Sequence, residues 1–146
     1  MKVLVTGASG YIGSQTCKFL NESGHVLVGI DRNMIKHQYC RETYIGDYND
    51  RIMNIMLQNV DCVVHIGATS LVGPSILDPS KYYNNNVMAT NVLLNSMKKN
   101  SIKKIIFSST AAVYKQSSKP LKENSKLQSL STYAKTKLIC EKNILR

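Results

Sequence analysis

Three groups of residues in this sequence have the types and spacing to do chemistry. The first is Gly7, Gly10 and Gly13, within Thr6-Gly7-Ala8-Ser9-Gly10-Tyr11-Ile12-Gly13. Glycines at three-residue intervals permit a tight turn, let a backbone come close to a pyrophosphate, and allow a helix to pack on the strand before it. Free N–H groups at the start of that helix then meet the phosphate oxygens. Asp31, 18 residues beyond Gly13, stands at the spacing of a carboxylate that binds ribose hydroxyls and repels a 2′-phosphate. Arg32 beside it weakens that preference without reversing it. The second group is Tyr133 and Lys137, four apart and so on one helix face. An ammonium near a phenol favours phenolate and suits the tyrosine to general-base work, although alone the pair reads by default as a solvated face. The third is the hydroxyl run Ser108-Ser109-Thr110, just after a β-branched stretch, where the carboxyl end of a strand presents ligand-binding groups.

Positioning these residues falls to an alternation of short apolar strands and longer helical segments. Strands are expected at 2–6, 26–31, 43–46, 62–66 and 104–108, and helices at 12–23, 49–59, 82–99 and 130–145. Along the first helix Ile12, Cys17, Phe19 and Leu20 are expected to face inward, with Gly24 as the stop; Ile52, Ile55 and Met56 mark the second. The polar, Ser/Lys-rich stretch 115–129 reads as a mobile loop. Strands without internal polar alternation are buried on both faces, and helices between them make right-handed βαβ units. The fold class is therefore α/β, a doubly wound parallel sheet, truncated after about five strands, with residues 1–146 forming one domain.

Composition narrows the function. At 146 residues, 43% hydrophobic and 19% charged, the chain can bury one core and is not disordered. No run of 18 apolar residues exists, and the N-terminus is too short in apolar residues for a signal peptide, so a cytoplasmic protein with no membrane partner is expected. Cys17, Cys40, Cys62 and Cys140 form no Cys-x-x-Cys pair and read as small buried hydrophobes, with no metal expected. The net charge of +10 lies wholly in residues 97–146, where twelve basic residues face only Glu123 and Glu141. Those lysines are scattered, without interleaved arginines or stacking aromatics, which favours a solvated face over a nucleic-acid partner.

Taken in order, the motifs resemble the N-terminal, dinucleotide-binding (Rossmann) part of extended short-chain dehydrogenase/reductases, in the NAD-dependent epimerase/dehydratase family and of the UDP-glucose 4-epimerase type. Besides the three groups above, the likeness rests on Gly46-Asp47, His65-Ile66-Gly67-Ala68 and Tyr82-Tyr83-Asn84-Asn85-Asn86-Val87. The resemblance implies that NAD is held by Gly7, Gly10, Tyr11, Ile12 and Gly13 at its pyrophosphate and by Asp31 at its adenine-side ribose. Asp47 and Tyr48 would flank the adenine, and Ile66, Gly67, Asn86 and Ser108 would line the path toward the nicotinamide. Thr110 would hydrogen-bond the sugar 4-hydroxyl, and Tyr133 would take its proton as hydride leaves for NAD⁺. Lys137 would bridge the nicotinamide ribose and depress the Tyr133 pKa, and the 4-keto sugar would turn over and take the hydride back.

Each of these has a structural alternative. Asp47 could start the next helix, Asn84, Asn85 and Asn86 could be a polar helix start, and Thr110 could cap its own turn. His65 could be a satisfied strand-end histidine, and Tyr82 and Tyr83 packing residues. Lys115, Thr132 and Ser70 depart from the commonest pattern, where Gly, Pro and, in some epimerases, Lys stand. Enzymes of this type are considerably longer, and the resemblance implies that their C-terminal sugar-nucleotide-binding domain is absent here. The isolated chain is thus expected not to turn over UDP-sugar unless the missing half is supplied by a complementing polypeptide, and its open sheet edge is expected to self-associate. The competing readings are a catalytically silent NAD-binding remnant or interaction module, and a related enzyme acting on another nucleotide sugar.

Overall fold

In the computed structural model, which describes Met1–Arg146, five strands form one parallel sheet in the order β3-β2-β1-β4-β5. These are β1 (Lys2–Thr6), β2 (Val26–Asp31), β3 (Glu42–Ile45), β4 (Cys62–His65) and β5 (Ile105–Phe107). The reversal of strand order on either side of β1 is the doubly wound topology expected from the alternation of strands and helices. The helices are α1 (Tyr11–Glu22), α2 (Asp50–Met56), α3 (Pro74–Leu77), α4 (Pro79–Tyr82), α5 (Ala89–Lys99) and α6 (Thr132–Ile144). None is long and apolar enough to cross a membrane.

The chain divides into two compact units, Met1–Ala68 with Val92–Ser108, and Thr69–Asn91 with Ser109–Arg146. The first contains the sheet. Alternate strand residues feed two apolar layers, as the period-2 geometry of a strand requires. Leu4, Val28, Ile30 and Val63 pack with Met53 and Met56 of α2 and Leu93 and Met97 of α5. On the opposite face Val3, Val5, Leu27 and Val64 pack with Cys17 of α1 and with Ile35, Tyr39 and Cys40. β5 is an edge, paired only with β4, and its Ile106 is 62% exposed.

In the second unit α3 and α4 open on Pro74 and Pro79, residues suited to first helical positions because they lack an N–H that would go unpaired. Ser131 caps α6, its hydroxyl accepting the Ala134 N–H at 3.1 Å. Thr132 follows as the first helical residue.

Several expectations are corrected. Ile12 and Phe19 do not face the core: they are 57% and 69% exposed, and line an apolar groove of about 590 Å³ beside Ile106 and Ser108. In α2 the buried positions are Met53 and, as expected, Met56, while Ile55 is exposed. The single helix anticipated over 82–99 is instead α4, a π-helical segment at Tyr83–Met88, and then α5. Asn86 lies in that wider segment; its carbonyl accepts the Cys140 thiol at 3.5 Å and its side chain is bonded on both ends, so non-helical partners satisfy the groups the widening frees. The stretch 115–129 is also tied down, by a bridge between Tyr114 and Leu127.

The tightest steric point in the sheet unit is Gly13, where an added Cβ would lie 1.9 Å from the Gly7 carbonyl oxygen and 2.7 Å from its carbon. Both are backbone atoms and cannot swing away. Gly13→Ala should therefore cost at least about 2 kcal/mol and lower Tm by roughly 5–10 °C. Gly73, with nothing near its own Cβ position and φ of −57°, should tolerate Ala with little change. Calorimetric melts of both variants check this, and equal losses would refute the close-approach argument.

Candidate functional site

The first unit supplies an anion-binding turn. Gly7 adopts φ +71°, a conformation L side chains rarely take, and donates its N–H to Ile30 at 2.9 Å. Its missing side chain also lets the turn touch Gly67, whose N and Cα would lie 2.7 and 2.8 Å from a Cβ at position 7. Gly10 precedes α1 with extended backbone and offers no capping side chain. The first-turn N–H groups of α1, at Tyr11, Ile12 and Gly13, have no acceptor one turn back within the helix. They present partial positive charge to an anion.

Asp31 ends β2 beside this turn. Its two oxygens accept the Ser9 N–H at 3.0 Å and the Asn33 N–H at 2.9 Å, which fixes the carboxylate and leaves each oxygen a further lone pair for a hydroxyl donor. Arg32 donates through Nε to Asp47, an exposed ion pair. Asp47 does not start α2: Asn49 caps it, accepting the Ile52 N–H at 3.0 Å. Tyr48 turns its ring inward, stacking obliquely 6.1 Å from His65, and its hydroxyl would be 2.5 Å from a Cβ at Gly67. Burial pushes the Tyr48 pKa up to about 12, against a hydrogen bond to Thr6.

Thr6 is a residue the sequence did not single out beyond its place in the turn motif. Its Oγ1 accepts the N–H groups of Ile66 and Gly67, at 3.1 and 3.0 Å, and lies 2.7 Å from His65 Nδ1. His65 is thus the satisfied strand-end histidine. Ser108 donates its N–H to the His65 carbonyl at 3.0 Å, which sets the start of the hydroxyl run.

The second unit holds the other chemical group. Tyr133 and Lys137 do share a face of α6, but that face is not solvated: they are 9% and 2% exposed. Thr110 does cap its turn, accepting the Ala112 N–H at 3.2 Å. Because that oxygen already accepts, its proton is available to Tyr133, and the Thr110 hydrogen bond holds the tyrosine pKa down against a larger upward push from burial. The net direction is upward, opposite to the lowering expected from Lys137. Burial in turn brings the Lys137 pKa down to about 8, with Glu141 opposing.

Asn86 is buried and fully engaged: Oδ1 accepts the Thr69 N–H at 2.8 Å, and Nδ2 donates to the Thr69 carbonyl at 3.1 Å and to Thr136 at 3.0 Å. Ser75 accepts the Tyr133 N–H at 3.2 Å. Ser75, Thr69 and Thr136 position α6 and its tyrosine, and nothing in their spacing singles them out. Tyr82 is a packing residue, its hydroxyl donating to the Leu71 carbonyl at 2.6 Å, whereas Tyr83 is 46% exposed.

Residues 3–146 match the NAD dependent epimerase/dehydratase family. The chain belongs to that family. It is 39% identical over 149 residues to the UDP-glucose 4-epimerase of Halalkalibacterium halodurans, covering 97% of this chain and 45% of that protein. Among solved structures, the UDP-glucose 4-epimerase of Brucella ovis in complex with NAD superposes with a TM-score of 0.90 at 34% identity, over 97% of this chain and 46% of its own. MoeE5 in complex with UDP-glucose and NAD gives 0.93 at 31%, over 99% and 48%. The chain therefore spans about half the length of the relatives it matches.

The buried lysine makes a pH signature. Its folded pKa, about 8, lies below the ordinary 10.5, so between those values the unfolded chain binds a proton that the folded chain does not. The unfolding free energy contributed by Lys137 therefore rises with pH across that window, on the order of 1–3 kcal/mol. Lys137→Met lacks this rise. Urea midpoints at pH 7, 8, 9 and 10 should show the variant's advantage over the parent shrinking as pH increases; a difference constant with pH would contradict a buried ammonium.

Proposed function

We propose that this chain is the dinucleotide-binding portion of a sugar-nucleotide 4-epimerase that interconverts UDP-glucose and UDP-galactose. The observation that carries the reading is Tyr133 and Lys137 together on one buried face of α6, with Thr110 opposing the upward push of burial on the tyrosine. Supporting it is a turn whose geometry suits NAD: no side chain at Gly7, Gly10 or Gly13, open N–H groups on α1, and a fixed carboxylate at Asp31. The structures of relatives that carry NAD and UDP-glucose are close in fold.

Gly7, Gly10, Tyr11, Ile12 and Gly13 bind the pyrophosphate through backbone N–H groups. Asp31 accepts the adenine-side ribose hydroxyls, and Asp47 and Tyr48 bound the adenine pocket. Ile66, Gly67, Asn86 and Ser108 belong to the nicotinamide side, with Asn86 acting through the position of α6. A bound NAD would supply the acceptor and donor of a hydride at sugar C4. Thr110 orients the 4-hydroxyl, Tyr133 accepts its proton and later gives it back, and Lys137 supplies an ammonium one turn away that favours the phenolate and reaches a ribose hydroxyl. The sugar-nucleotide-binding domain belongs to the part of the relatives that this chain does not span.

Epimerisation is favoured over dehydration by Ala111 and Ala112. Related 4,6-dehydratases place Asp and Glu after the threonine, as the acid and base that remove water across C5 and C6. Here the exposed Ala111 and Ala112 offer no proton-transferring group.

Titration of the 146-residue chain should show NADH binding more tightly than NADPH, and Asp31→Ala should weaken NADH by roughly 1–3 kcal/mol. Tighter NADPH binding would overturn the role of Asp31. With the C-terminal half of the Halalkalibacterium relative supplied, NMR should follow UDP-glucose to UDP-galactose, and Tyr133→Phe should abolish turnover while leaving NADH affinity nearly intact. A 4-keto-6-deoxy product, or a Tyr133→Phe rate within tenfold of the parent, would refute the proposal.

A further inference from the structure

Outside the groups used above, the first unit gathers two thiols and an imidazole. Cys17 of α1, and His37 and Cys40 between β2 and β3, each place one ligand atom so that all three lie within 4.8 Å of one another. The expectation that no histidine stands within ligand spacing of a cysteine overlooks His37-x-x-Cys40, and Cys17 lies too far along the chain to be associated with that pair by spacing. Only the packing of the 34–40 segment against α1 brings it in.

We propose that Cys17, His37 and Cys40 form a binding site for a thiophilic divalent cation of the zinc class. Three independent features support it. The two sulfurs are 3.7 Å apart. Two thiolates bound at ~2.3 Å to one tetrahedral zinc would be about 3.8 Å apart, so they already stand at the edge length of that coordination sphere. His37 Nε2 lies 2.9 Å from the Ala8 carbonyl oxygen, which can only accept, so the ring proton is on Nε2. Nδ1 is then the lone-pair nitrogen, and it is buried with no hydrogen-bond partner. A metal-binding histidine commonly has this arrangement, with its other N–H held by a carbonyl. Finally, the site has room made for it. A Cβ at Gly29 would lie 2.9 Å from Cys40 Sγ, so the sulfur occupies the space a side chain there would fill, and the imidazole is held by stacking on Tyr39 at 4.9 Å.

Cys17 is buried, whereas His37 and Cys40 are partly exposed, so an ion can enter from the loop side and water can complete a fourth position. Binding converts both thiols to thiolates and releases two protons, with no change of oxidation state. The ion would cross-link the 34–40 segment to α1 and, through Ala8, to the turn that carries Gly7 and Gly10. Its expected role is structural, holding that turn against the sheet.

The test is titration of the reduced 146-residue chain with Co²⁺ as a spectroscopic probe, followed by Zn²⁺ in competition. A thiolate-to-cobalt charge-transfer band saturating at one equivalent, lost on adding Zn²⁺, is the expected result, with Zn²⁺ also raising Tm. Cys40→Ser, at a partly exposed position, should weaken Co²⁺ at least tenfold, and His37→Gln should do the same while keeping the thiolate band; Cys62→Ala should leave both affinity and band unchanged. Independently of any variant, Zn²⁺ should protect Cys40 from alkylation in the parent chain, as mapped by peptide mass. No band at one equivalent, or Cys40→Ser binding Co²⁺ as tightly as the parent, would each overturn the site.

Discussion

The close approach of Gly13 to the Gly7 carbonyl is the constraint on which the sheet unit depends. It brings α1 down onto the end of β1, and in doing so exposes the first-turn N–H groups and sets Gly7 against Gly67 at the end of β4. One backbone contact thus joins three elements of the sheet layer and creates the anion-binding turn. Thr6 reinforces the same corner, since its hydroxyl meets the N–H groups of both Ile66 and Gly67. A side chain at any of these glycines would not merely hinder a ligand. It would separate the strand ends from the helix that the ligand needs.

The second unit is organised by a different economy of forces, because it buries polar side chains in place of an extended apolar layer. Asn86, Thr136, Ser75 and Lys137 are nearly inaccessible, and a buried polar group without partners costs about 1–3 kcal/mol. Asn86 meets this requirement with three hydrogen bonds, and Thr136 donates to the Tyr133 carbonyl at 2.7 Å. Such a network ties the chemistry to the packing. The groups that satisfy one another also fix the rotation of α6, and that rotation sets where the Tyr133 hydroxyl points.

The sheet was legible in the sequence because strand length, apolar character and glycine spacing are local properties. β1 and β2 have the expected bounds, and β3, β4 and β5 shift by a residue or so at their ends. Less legible was anything decided by a distant neighbour. Ile12 and Phe19 read as core from their periodicity, yet they line an open groove, because periodicity reports that a stripe is apolar and not what covers it. The π-helical segment was invisible because Asn86 is held by Thr69 and Thr136, one of them 50 residues away. The direction of the Tyr133 pKa failed for a related reason. Spacing places Lys137 on the same face but says nothing of how deeply that face is buried, and burial sets the direction, opposed by Thr110.

Arg32 was the one feature at odds with a preference for the unphosphorylated ribose, and its geometry resolves the conflict only in part. Its guanidinium pairs with Asp47, but both side chains are largely exposed, at 49% and 70%. Such pairs contribute roughly 0–1 kcal/mol, too little to keep Arg32 from a 2′-phosphate that carries more charge than one carboxylate. In the proposed site, discrimination then falls to Asp31. The Ser9 and Asn33 N–H groups hold its carboxylate from two sides, so it cannot rotate away from an incoming phosphate without breaking both bonds. Repulsion from a fixed charge does not depend on a mobile partner. In the proposed site the charge that accepts ribose hydroxyls is therefore the one that would exclude the phosphate.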